Sequence, residues 1–176
     1  GMTINYSYQI EQNGIVIRKE WDSFSRSIFL SGSSRKIYRI NDCWKNIPEQ
    51  LYLYSSAFTE ALLAHPEKEN IPQRYKKGLV IKAYAPRINK DYCLAICGNQ
   101  KSLAHWDPEK AVLMSDTNFP EWQIELDASK LKYPLEYKFI LYNKQEKKAD
   151  CWEKNPNRYL ADPELKTNET LVISDR

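Results

Sequence analysis

Apolar and polar residues alternate with a period of two through most of this chain, which is the signature of half-buried β-strands rather than helices. INYSYQIEQ (4–12) places Tyr6, Tyr8 and Ile10 on one side of an extended segment. Asn13-Gly14 then supplies a two-residue turn, and IVIRKEW (15–21) follows as its partner strand. Short strands are predicted at SIFL (27–30), IYRI (37–40) and LYLY (51–54). Phe58, Leu62 and Leu63 fall at helical spacing within SSAFTEALLAH (55–65), so one short helix is expected there. PEKENIPQRYKKG (66–78) is charged, carries two prolines and reads as a linker. The strand pattern resumes at GLVIKAYA (78–85), DYCLAICG (91–98), KAVLM (110–114), EWQIEL (121–126), LEYKFILY (135–142) and TLVIS (170–174). Turn clusters separate these runs at the intervals of an all-β sandwich or barrel.

Composition narrows the class. A length of 176 residues suits one domain, or one domain and part of another. Lys+Arg 26 against Asp+Glu 23 leaves a charge of +3, too little to advertise nucleic acid as partner. Mean hydropathy of −0.67 and the lack of a long apolar run argue against a membrane span. The four cysteines have no CxxC spacing, and no cluster of His, Cys or carboxylates suggests a metal or cofactor. Cys93 and Cys97 are four residues apart on one strand, about 13 Å, too far to bridge. Thiols of this kind, with no apolar leader at the N-terminus, point to a reducing compartment, and a cytoplasmic location is expected.

The two ends of the chain resemble each other. Residues 6–26 can be laid on 137–158 so that Tyr6 meets Tyr137, Tyr8 meets Phe139, Trp21 meets Trp152 and Arg26 meets Arg158. On this reading residues 1–40 are the rear part of a first module, 41–77 a linker with a short helix, and 78–176 a complete second module. Ser7 would then stand where the second copy has Lys138, so no working site is expected in the first copy.

CGNQKSLAHW (97–106), PEWQIEL (120–126), LEYKF (135–139) and CWEKNPNRYL (151–160) occur in order, and together they resemble the starch-binding domain, carbohydrate-binding module family 20. The resemblance covers nearly all of 78–176 and implies an all-β, antiparallel immunoglobulin-like β-sandwich. It further implies a non-catalytic module for α-glucans: starch, glycogen, maltooligosaccharides or cyclodextrin. Matched motif by motif, Trp106 and Trp152 would form a stacking surface, Lys138 would donate to a sugar hydroxyl, and Glu153 and Asn157 would complete the polar rim. The alternative reading of Lys138 is a solvated strand lysine, and that of Asn157 is a turn residue bonding its own backbone, a role compatible with the rim. Trp122, set among alternating apolar residues, reads as core. Ala104 and His105 depart from the family's usual Gly-Asp or Gly-Asn before the loop Trp. A second family site would fall near Lys90, with Tyr92 two residues on, and that substitution puts it in doubt.

Elementary physics agrees with such a site. An α-glucan is neutral, with an apolar ring face that an indole can cover and hydroxyl edges that fixed polar groups can meet. Burying on the order of 100 Å² at about 25 cal/mol/Å² contributes only a few kcal/mol per ring. Affinities from roughly micromolar to millimolar are therefore expected, with tandem arrangement compensating on a polymer.

Residues 41–62, which contain SSAF (55–58), and the order of the two modules resemble the N-terminal region of type II 4-α-glucanotransferases, whose glycoside hydrolase family 77 barrel lies further on. That barrel would be the module's partner in the parent chain, and a barrel of about 250 residues cannot fit here. Another starch-active or regulatory parent is the alternative. Nothing here has GxSxG, HExxH or a phosphate loop, so no catalytic residue is assigned. A single-stranded nucleic-acid binder built on aromatic platforms is the remaining class, with binding that should fall steeply with salt.

Overall fold

Most of the alternating runs become strands because their apolar sides need a facing layer. The computed structural model describes residues 1–20, 26–32, 35–44 and 74–175. The expected strand 51–54, the helix 55–65, most of the linker and Trp21 lie outside the described residues. The described residues fall into two compact units, 1–32 with 43–44, and 35–42 with 74–175.

In the N-terminal unit the run 4–12 is two strands, not one: β1 (Met2–Tyr6) and β2 (Gln9–Gln12). Asn13 and Gly14 both take positive φ (53° and 77°), the backbone of the expected two-residue turn into β3 (Ile15–Lys19). β4 (Arg26–Leu30) pairs antiparallel with β1, placing Tyr6 opposite Arg26. The buried Arg26 and Glu20 side chains pair at 2.5 Å, and a Glu20 oxygen also accepts the Tyr8 N–H at 3.1 Å.

The second unit contains β5 (Ile37–Asp42), β6 (Gly78–Tyr84), β7 (Tyr92–Gly98), β8 (Val112–Leu113), β9 (Ser115–Asn118), β10 (Glu121–Asp127), β11 (Leu135–Asn143), β12 (Lys148–Trp152), β13 (Arg158–Leu160) and β14 (Glu169–Asp175). One sheet runs β5-β14-β6-β10-β9 and the other β12-β11-β7-β8, with β13 on the edge of β11. Leu79, Ile81 and Ala83 of β6, Trp122 and Leu126 of β10 and Leu171 of β14 share one core with Leu94 and Ile96 of β7 and Leu135, Tyr137 and Phe139 of β11. The fold is therefore the expected β-sandwich. It is not purely antiparallel, because β14 runs parallel to both of its neighbours, β5 and β6. Residues 37–40, expected in the N-terminal module, belong instead to β5 in the second unit. Polar SDTN of β9 carries no strand period, which is why the sequence pattern passed over it.

The internal repeat is present down to its register. Ile140 faces Trp152, Leu141 faces Cys151, a bulge follows, and Tyr142 faces Ala149. In the N-terminal unit Gln9 faces Lys19, Ile10 faces Arg18, a bulge follows, and Glu11 faces Val16. Tyr137 opposite Arg158 repeats Tyr6 opposite Arg26. One feature of the sequence alignment is overturned. The structural counterpart of Trp152 is Lys19, not Trp21, because a two-residue turn in the first hairpin replaces residues 144–147 in the second. The counterpart of Glu153 is consequently Glu20, whose N–H donates to Tyr8 as that of Glu153 does to Phe139.

Candidate functional site

The outer side of the β11–β7 sheet, turned away from the main core, carries a small floor of Ala95, Cys97 and Ile140, with Ala104, Ala111 and Ala149 packed around it. The loop 101–106 reaches both sides of this sheet: its Leu103 is fully buried in the main core, while its Ala104 packs on the outer floor. Gly98 is required beneath it, since a Cβ there would come within 2.3 Å of the Glu136 carbonyl and 2.8 Å of Leu103. Gln100 ties the loop down: its side chain donates to the Lys132 carbonyl at 3.2 Å and accepts the Lys132 N–H at 2.9 Å. On its far side the Asp107 carboxylate accepts from Lys110 at 2.6 Å and from the Glu109 N–H at 3.1 Å. These bonds, the Lys110 one first, hold the Asp107 carboxyl below the ordinary carboxylate range. Burial raises the Cys97 thiol under the loop, favouring its neutral form.

Three successive non-glycine residues, Ala104, His105 and Trp106, take positive φ of 64°, 48° and 62°. Each costs about 1–2 kcal/mol relative to right-handed backbone. The His105 N–H donating to Gln100 O at 3.0 Å, and the Asp107 N–H to Ala104 O at 2.9 Å, hold this left-handed turn, which delivers Trp106 above the floor. Ala104→Gly should raise stability by about 0.5–1 kcal/mol, the strain relieved less the larger entropy of the unfolded glycine chain. Thermal denaturation of the two proteins measures it, and a lower midpoint would contradict the strain.

Trp152 ends β12 opposite Ile140 and so stands on the same outer side. It is 37% exposed. Its ring centroid lies 6.2 Å from that of Trp106, the planes inclined at 44°. Lys138 is two residues from Ile140 on β11, half-buried and on this side. Among the described residues its ammonium makes no salt bridge. Asn157 is exposed in the excursion 153–157 between β12 and β13, and among the described residues its amide makes no hydrogen bond to its own turn. Glu153 is differently employed. One oxygen accepts the Phe139 N–H at 2.8 Å and pairs with Arg158, whose guanidinium lies 4.5 Å from the Phe139 ring centre. It anchors the end of β12 next to Trp152.

Trp122 is core, 2% exposed, with its indole N–H donating to the Ala85 carbonyl at 3.1 Å. Tyr92 opposite Asn143 falls by alternation on the Leu94 and Ile96 side of β7, not beside the indoles. His105 is exposed. Arg158 and Gln100 were not singled out as positioning groups from sequence. The Glu-to-Arg spacing of five residues, shared in outline by Glu20 and Arg26, was the available signal for the first.

Residues 80–172 match the family described as the starch binding domain. Glucoamylase-1 from Schizophyllum commune is 30% identical over 63 residues, which is 36% of this chain and 10% of that protein. Among solved structures, the family 20 CBM of a maltotetraose-forming amylase from Pseudomonas saccharophila STB07 is 16% identical with a TM-score of 0.44, over 56% of this chain and 99% of that one. The family 15 glucoamylase of Hypocrea jecorina is 20% identical with a TM-score of 0.45, over 55% of this chain and 16% of that one. With the family's span covering more than half of its residues, the chain belongs to the starch binding domain family.

Proposed function

We propose that the second unit is a non-catalytic α-glucan-binding module that holds a starch-active parent enzyme on its substrate. The observation that carries this is the meeting of Trp106 and Trp152, from separate elements, on one outer surface at 6.2 Å. Two rings inclined to each other suit a curved chain better than a flat one, and the faces of successive glucose units supply the apolar complement. Lys138 donates to a sugar hydroxyl at the edge of this platform and Asn157 completes its rim. Glu153 contributes chiefly by fixing Trp152.

Titration with β-cyclodextrin tests the reading. A dissociation constant between roughly micromolar and millimolar is expected, hardly altered between about 50 and 500 mM salt, because the ligand is uncharged. A steep decline with salt, together with binding of a single-stranded oligonucleotide, would favour the nucleic-acid class instead.

The parent enzyme we propose is a 4-α-glucanotransferase whose barrel follows the module, supported by segment 41–62 and the order of the two units. The matched relatives named above are a glucoamylase and a maltotetraose-forming amylase. Incubating the full-length parent with maltotriose separates the cases: a ladder of longer and shorter glucans marks the transferase, glucose alone a hydrolase. A cytoplasmic setting is proposed with it, on the cysteine usage.

A further inference from the structure

The outer side of β11 does not end at Lys138. Two residues back is Glu136, and directly opposite it on β13 stands Tyr159. Paired residues share a side of the sheet, so Tyr159 projects on the side that carries Lys138 and Trp152. At 65% it is the most exposed large aromatic among the described residues. Ile140, the partner of Trp152, and Glu136, the partner of Tyr159, are four residues apart on one strand, on the order of 14 Å. Lys138 lies midway. Tyr159 sits on a rigid base, since its neighbour Arg158 is held by Glu153 and by the Phe139 ring.

The N-terminal unit provides an internal comparison. Its scaffold is kept: Tyr6 and Tyr8 pack edge to face at 5.8 Å as Tyr137 and Phe139 do at 6.0 Å, and Glu20 pairs with Arg26 as Glu153 does with Arg158. Its surface is not. Lys19 stands for Trp152, Ser7 for Lys138 and Ser27 for Tyr159. The tyrosine thus goes with the platform residues, not with the scaffold.

We infer that Tyr159 is an additional stacking position for a glucose unit beyond Lys138, so that the site reads glucan length along β11. The inference rests on the α-glucan reading of Trp106 and Trp152. The whole chain, titrated calorimetrically with maltotriose and with maltoheptaose, tests it. In Tyr159→Ala the affinity for maltoheptaose is expected to fall about three- to tenfold, the worth of one exposed ring face, while that for maltotriose stays unchanged. Tyr159→Phe, which keeps the ring, should keep the maltoheptaose affinity. Unchanged maltoheptaose binding in the alanine variant, or an equal loss for both sugars, overturns it. Trp152→Ala serves as the separate control: normal binding of both sugars there rejects the platform itself, and this extension with it.

Discussion

Replacing Trp152 by alanine is expected to abolish retention on amylose and to bring β-cyclodextrin binding below detection, and Trp106→Ala is expected to do the same. A complex of roughly micromolar to millimolar strength is held by about 4–8 kcal/mol in all. One indole face covering a sugar contributes a few kcal/mol of that, and each 1.4 kcal/mol is a factor of ten. The rings lie 6.2 Å apart, so loss of either leaves the ligand stacked on one side alone. Stability should change little for Trp152, because its ring is already substantially exposed. Trp152→Phe, which keeps a smaller apolar face, should retain partial binding. Affinity electrophoresis in amylose, beside a circular dichroism melt, reads both quantities. Either alanine variant migrating like the parent protein, with its fold intact, would remove the platform from the account.

Trp122→Ala is expected to give the opposite phenotype, a loss of about 3–5 kcal/mol in stability with binding preserved in the molecules that remain folded. The indole fills the space between the two sheets, meets Phe119 edge-on at 6.2 Å and donates its N–H to Ala85. Truncation empties a large core volume and leaves that carbonyl without its donor. Against a total stability of about 5–15 kcal/mol, the loss should lower the midpoint by on the order of 15–30 °C. β-Cyclodextrin identifies the relevant transition in a two-unit chain, because ligand raises the midpoint only of the unit that binds it. A cost under about 1 kcal/mol would mean that the ring is not buried as described.

The contrast in burial between Trp122 and the pair Trp106 and Trp152 was legible in the sequence, and for a physical reason. EWQIEL surrounds Trp122 with a strand period, whereas Trp106 follows a glycine and polar loop and Trp152 precedes the polar excursion EKNPN. The apolar runs of β6 and β7, buried on both faces, and the alternating runs of β10 and β11 fell where the sequence pattern placed strands. Other features depended on matters the pattern does not encode. The match of Trp21 to Trp152 counted residues between aromatics, and it failed because hairpin loops differ in length while ladders do not. Glu153 carries the same signal whether it meets a sugar or the Phe139 amide; only the fold aims it at the latter. Ala104 and His105 looked like departures from a glycine turn, yet Gln100 and Asp107 hold the left-handed backbone without the glycine.

The parallel pairing of β5 with β14 bears on where a self-sufficient piece of this protein can be cut. Glu169 lies opposite Ile37 and Ser174 opposite Asp42, and Arg39 bonds Glu169 at 2.8 Å. A fragment begun at residue 78 would retain Trp106, Lys138, Trp152, Asn157 and Tyr159. It would still leave the backbone of β14 bare along one flank, an invitation to sticky self-association. The stretch that matches the family and the stretch that completes the sheet therefore have different boundaries, and the second reaches back to Arg35.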